Sequence, residues 1–216
     1  MVADAEPIAR AEGRGETRAI RTSWLPWLTL AALIGAGLAG ALAWALFTGA
    51  PGDDSPEAGF ARDMSTHHEQ AVEMALLVRD RTEDPRIKTL ATDIALTQQG
   101  QIGQMQGWLR VWGLPAVGEE PAMAWMGHPT EGRMPGMASP EEIAQLGQLA
   151  GIEADREFLR LMIRHHQGGV PMAQAALERS DNGVVRRLAE AIVRSQQAEV
   201  ELMQGLLEGK GGETSA

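Results

Sequence analysis

One segment of this 216-residue chain occurs twice. Residues 60–109 align without a gap on residues 158–207, 98 positions later, with 18 identities in 50. The shared positions begin with Phe60/Phe158, Met64/Met162, His67/His165 and His68/His166. They continue through Met74/Met172, Leu90/Leu188, Ile94/Ile192, Gln98/Gln196, Met105/Met203 and Leu109/Leu207. A repeat of this length implies two similar units that bury their apolar faces against each other.

The period within each copy is helical. Phe60, Met64, His67, Ala71, Met74 and Val78 step by four and three, which draws one stripe on a helix. Ile87, Leu90, Ile94, Gln98, Ile102, Met105 and Leu109 draw a second, and both stripes recur in the other copy. Ser55-Pro56-Glu57, Asp84-Pro85 and Ser139-Pro140-Glu141-Glu142 each set a capping residue before an N1 proline. Asp181-Asn182-Gly183 separates the last two helices, Gly113 ends the second, and the glycines from Gly209 to Gly212 end the last. Nothing reads as a strand. The prediction is an all-α fold: two helical hairpins over residues 55–209, packed as a four-helix bundle. Between them, residues 114–138 carry four prolines and read as a loop, followed by a short helix from Ser139 to about Gly147.

Ahead of the bundle lies a different kind of segment. Residues 1–21 mix four acids with four arginines, whereas residues 22–52 carry no charge. The apolar run 24–47 would span about 36 Å as a helix, enough for a hydrocarbon core of about 30 Å. Trp24, Trp27 and Trp44 lie near its ends. Arg18 and Arg21 before it, with Asp53 and Asp54 after it, predict a cytoplasmic tail (1–21), a single membrane anchor (22–52) and an extracytoplasmic bundle. A cleaved signal peptide, with Ala43-Trp44-Ala45 as its cleavage site, is the alternative, and it exports the same bundle. Gly35-x-Gly37-x-x-Gly40 has the spacing of a dinucleotide fingerprint but lacks the strand such a site needs, so it is set aside.

Composition narrows the chemistry. Nineteen Lys and Arg against 29 Asp and Glu leave a net charge of −10, which argues against a nucleic-acid partner. With no cysteine, disulfides, thiolate metal sites and a Cys nucleophile are excluded. The chain has 11 methionines. Six occupy matched repeat positions, and Met123, Met126, Met134 and Met137 surround His128 in the loop.

Each copy carries Met-x-x-His-His-x5-Met: Met64, His67, His68 and Met74, then Met162, His165, His166 and Met172. Residues three and four apart are helical neighbours, so each methionine sits beside its histidines. The duplication can bring His67 and His165 towards a shared twofold axis. Imidazole and thioether together favour a soft transition metal, Cu(I) above all, over zinc, calcium or magnesium. The plainer reading is that the methionines fill the core and the histidines are hydrogen-bonded polar groups within it. Gln98 and Gln196 interrupt apolar stripes and would either orient a histidine or bond each other. Met123, Met126, His128, Met134 and Met137 would form a second soft-metal loop or a flexible linker. Catalytic signatures are absent: neither pair has the Glu-x-x-His of a di-iron bundle, and His67-His68-Glu69 is not H-E-x-x-H.

In carrying these blocks, the sequence resembles the domain-of-unknown-function family 305 (DUF305). Phe-x3-Met-x2-His-His-x5-Met-Ala stands at 60–75 and again at 158–173, Leu-Ala-x2-Ile-x3-Gln-Gln at 90–99 and 188–197, and Met-Pro-Gly-Met-x-Ser-Pro-Glu-Glu at 134–142. The resemblance covers about 60–207. It implies a ferritin-like four-helix bundle, an extracytoplasmic location and, as in some members, copper binding, with no enzymatic activity. Two departures stand in the second block. Arg164 puts a cation beside His165, tolerable to a metal only if it turns outward, and Pro171 should kink its helix.

The expectation is therefore a membrane-anchored protein that sequesters copper or hands it to a copper-handling partner, alone or as a homo-oligomer. The alternative is a structural or adaptor bundle without metal. Since only neutral histidine ligates, binding should weaken as pH falls through roughly 6.

Overall fold

The computed structural model describes residues 24–47 and 49–212. Among them are six α-helices and no strand: α1 (Leu25–Phe47), α2 (Pro56–Arg79), α3 (Pro85–Val111), α4 (Pro140–Leu146), α5 (Gly151–Arg179) and α6 (Gly183–Gly212). A single 3-10 turn, Ala124–Met126, lies between α3 and α4. The chain divides into two units, Met1–Gly49 and Ala50–Ala216.

The first unit contributes α1, 23 residues without a charge. Trp27, Leu28, Leu33 and Leu38 along it are exposed. The expected cytoplasmic tail, 1–21, lies outside the described residues. The expected membrane span is not found: among the described residues no helix is long and apolar enough to cross a membrane.

The second unit is built from α2, α3, α5 and α6. Its helices start where capping chemistry directs. The Ser55 hydroxyl accepts from the Ala58 amide at 3.2 Å, and the Asp84 carboxylate from the Arg86 amide at 2.8 Å. Ser139 and Glu142 close a capping box on α4. Helix α6 ends at Gly212, within the glycine stretch expected to stop it. In its last turn Lys210 is almost wholly buried, its ammonium 3.0 Å from Asp84 and 2.8 Å from Asp155. Helix α5 continues through Pro171, whose exposed position puts the missing donor on the solvent side.

Each hairpin pairs its own helices, and α2 and α5 form the seam between hairpins. The two run in opposite directions. Phe60 and Met64, early in α2, share a core cluster with Met172 and Ala176, late in α5. Met74 and Val78, late in α2, share the other cluster with Phe158 and Met162, early in α5. This arrangement dictates the path of the connection. Helix α3 ends in the first cluster and α5 begins in the second, so residues 112–150 must travel the length of the bundle. Met123, Met126 and Met134 anchor in the first cluster, Ala138 and Leu146 in the second.

Candidate metal centre

The two histidine pairs lie midway along the α2–α5 seam, between the clusters. All four rings are fully buried. His67 and His165, the stripe positions, face each other with ring centroids 3.8 Å apart and planes tilted by 38°. One layer of thioethers, Met64 and Met172, belongs to the cluster on one side, and Met74 and Met162 to the cluster on the other. Every one of these sulfur side chains is fully buried. The twofold meeting expected from the repeat is the geometry found.

Each remaining histidine turns to its own hairpin partner. His68 Nε2 lies 2.7 Å from Gln101 Oε1 on α3, and His166 Nε2 lies 2.6 Å from Glu199 Oε2 on α6. Neither partner was singled out in the sequence. The signal was there: both sit 33 residues beyond their histidine, at positions 98 apart, but one is an amide and the other a carboxylate. His67 Nε2 donates to the Pro135 carbonyl at 3.0 Å. What stays unpartnered is Nδ1 of all four histidines and Nε2 of His165 as well.

Gln98 and Gln196 do neither thing expected of them. They are nearly fully buried, and both amides lack any hydrogen-bond partner, whether a histidine or each other. Gln196 is nonetheless at the centre. A Cβ on Gly169 would stand 2.7 Å from Gln196 Oε1 and 3.2 Å from His67 Cε1, so this glycine makes room for both. Buried amides without partners are uncommon and costly. Five imidazole nitrogens and four amide atoms are thus buried without a hydrogen-bond partner, and Gln196 lies among the histidines.

The connection covers this level. The Pro135 carbonyl meets His67, and the Ala138 amide donates to Gln70 Oε1 at 2.6 Å while the Gln70 amide donates back to the Ala138 carbonyl at 3.0 Å. Gly136 and Gly168 permit the approach. Gly136 has φ +81°, and a side chain on it would overlap the Arg164 carbonyl, while one on Gly168 would overlap the Pro135 carbonyl. Arg164 itself points away from the histidines: its guanidinium grips Glu142 at 2.9 and 2.5 Å. That fork pulls the Glu142 carboxyl down to about 2 and ties the start of α4 to α5. The outward turn that a metal would require of Arg164 is thus present.

Met123, Met126 and Met134 are buried in the first core cluster and Met137 packs against it, whereas the His128 side chain is exposed, its backbone amide donating to the Met123 carbonyl at 3.3 Å. Asp63 fixes this part of the loop, accepting from the Met123 amide at 2.7 Å and the Trp125 indole at 2.8 Å.

Burial keeps the central histidines neutral. Desolvation lowers His67 to about 4 and His68 to about 3, and holds His165 well below 6.5. The proton competition expected near pH 6 is therefore displaced downward. Among the described residues no three His, Asp or Glu groups are assembled to hold a metal. The donors at hand are bare imidazole nitrogens, amide oxygens and thioethers, which fit a soft or borderline ion.

A family model described as "Domain of unknown function (DUF305)" matches residues 57–207. A presumed secreted DUF305 protein from Streptomyces coelicolor is 51% identical in its crystal structure, with a TM-score of 0.72 over 74% of this chain and 96% of that one. CopM in its Cu(I)-bound form is 27% identical, with a TM-score of 0.54 over 72% of this chain and 96% of that one. CopM is also known in Cu(II)-bound and silver-bound forms. An uncharacterized protein, L153, of Acanthamoeba polyphaga mimivirus is 44% identical over 50 residues, 23% of this chain, and the match spans a third of that protein.

Proposed function

The chain belongs to the DUF305 family, and on that footing we propose that its bundle binds copper as cargo, to sequester it or hand it on, without catalysing a reaction. The carrying observation is the buried, face-to-face-tilted His67–His165 pair with bare nitrogens between two thioether layers. His67, His68, His165 and His166 supply nitrogen, and Met64, Met74, Met162 and Met172 supply sulfur. Such a mixed set tolerates both copper oxidation states and favours Cu(I). The similarity to CopM supports this reading. Calorimetric titration of the protein with Cu(I) and with Cu(II) tests it. Tight binding that disappears when all four histidines become Ala is the expected result, and unchanged affinity overturns the assignment.

One observation favours a second reading, a metal-free adaptor bundle: His67, His68 and His166 each already have one hydrogen-bond partner, as a purely structural polar core requires. It predicts a melting temperature indifferent to copper. The location proposed is the outer face of a membrane, with α1 as a single-pass anchor. The charge-free run 22–52 and the exposed leucines of α1 support the anchor, and the description of the Streptomyces relative as secreted supports export alone.

A further inference from the structure

The two hairpins present the same hydrogen bond with different chemistry. On α2–α3, His68 Nε2 meets the Gln101 amide oxygen at 2.7 Å. On α5–α6, His166 Nε2 meets the Glu199 carboxylate at 2.6 Å. A carboxylate accepts and does not donate, so a hydrogen resides on His166 Nε2, and its buried Nδ1 has no acceptor for a second. The amide oxygen of Gln101 places the same demand on His68. The Pro135 carbonyl does so for His67, at 3.0 Å. Three histidines on two helices are thus locked in one tautomer by three unrelated acceptors. In all three the bare Nδ1 is buried and has no partner.

We propose that Gln101 and Glu199 are positioning residues. They fix His68 and His166 as Nε2–H tautomers that ligate through Nδ1, and the carboxylate at 199 makes the α5–α6 half of the site the stronger donor. The second clause follows from polarisation. A carboxylate on the far N–H pushes electron density into the ring and raises the basicity of the opposite nitrogen, whereas a neutral amide does so weakly. The repeat itself supplies the comparison, because the two acceptors occupy positions 98 apart and differ only by –NH2 against –O⁻. The halves then load in order, α5–α6 before α2–α3. This inference rests on the copper reading for its second clause only; the tautomers are properties of the metal-free protein.

The test has two arms. In the first, 15N NMR of the imidazole nitrogens in the metal-free full chain reports which nitrogen carries hydrogen. His68 and His166 are expected with Nε2 protonated and Nδ1 bare. The pattern should persist in Glu199→Gln, which keeps an acceptor, and be lost in Glu199→Leu. Nδ1–H signals for His68 and His166 in the wild type overturn the proposal. In the second arm, competition against a chromophoric Cu(I) chelator is measured for the wild type, Glu199→Gln and Gln101→Glu. A loss of about tenfold in the tighter step for Glu199→Gln, with a comparable gain in the weaker step for Gln101→Glu, is the expected result. Equal affinities across the three proteins overturn the donor-strength clause. A wild type that takes up no Cu(I) overturns the copper reading and that clause together, and the NMR arm still decides the tautomers.

Discussion

At the scale of single residues, the centre is defined by polar atoms that burial has stripped of water. The histidines make the protein's stability depend on pH. His67 and His68 titrate at about 4 and about 3 in the folded chain against 6.5 when exposed, because burial opposes their charged forms. As pH falls, the unfolded chain takes up protons first, so the stability they provide is complete above about 6.5 and is lost towards 4 and below. Thermal melts of the metal-free protein from pH 7.5 to 4 should show the melting temperature falling through that window. Replacing His68 with Asn should flatten the fall. The glycines that admit the loop offer a second check. Gly168→Ala sets a methyl group against the Pro135 carbonyl and should cost about 1–3 kcal/mol in chemical denaturation, with loss of the His67–Pro135 bond. The Met and His positions could be read from the sequence because they repeat. Gln101 and Glu199 repeat too, but as an amide in one copy and a carboxylate in the other, so their shared role shows only when a histidine is seen 2.7 or 2.6 Å away.

At the scale of elements, helix starts and stops were legible and the ties between elements less so. Caps are local: Ser55, Asp84 and Ser139 act on amides two or three residues ahead, so their chemistry is written in neighbouring letters. The last turn of α6 is tied down through Lys210 by Asp84 and Asp155, 126 and 55 residues away, a pairing that no neighbouring letter announces. Removing the Ser139 hydroxyl should cost about 1 kcal/mol. The effect is argued to extend beyond α4, because the same capping box holds Glu142 against Arg164. Pro171 tests the opposite balance. It sits exposed within a continuous α5, so Pro171→Ala restores a backbone donor and should stabilise the bundle by up to about 2 kcal/mol. The helix gain of about 3 kcal/mol is partly offset by a more flexible unfolded chain. Urea denaturation followed by far-UV circular dichroism measures both variants.

At the scale of the whole molecule, copper should act as a stabiliser. A ligand that binds only the folded state adds about 2.7 kcal/mol at a hundredfold excess over Kd, so the melting temperature should rise with Cu(I) concentration. A flat response favours the adaptor reading. The antiparallel course of α2 and α5 explains why the long connection exists at all. Because α3 finishes at one end of the bundle and α5 starts at the other, the chain between them has to pass the histidines on its way. It is held there by Gln70 on α2 and by the bare backbone at Gly168 on α5, two positions 98 apart. Two identical hairpins meeting as separate copies would offer the same approach from both sides. A single chain with one strap across the seam has a front and a back, and so gives any traffic through its centre a direction.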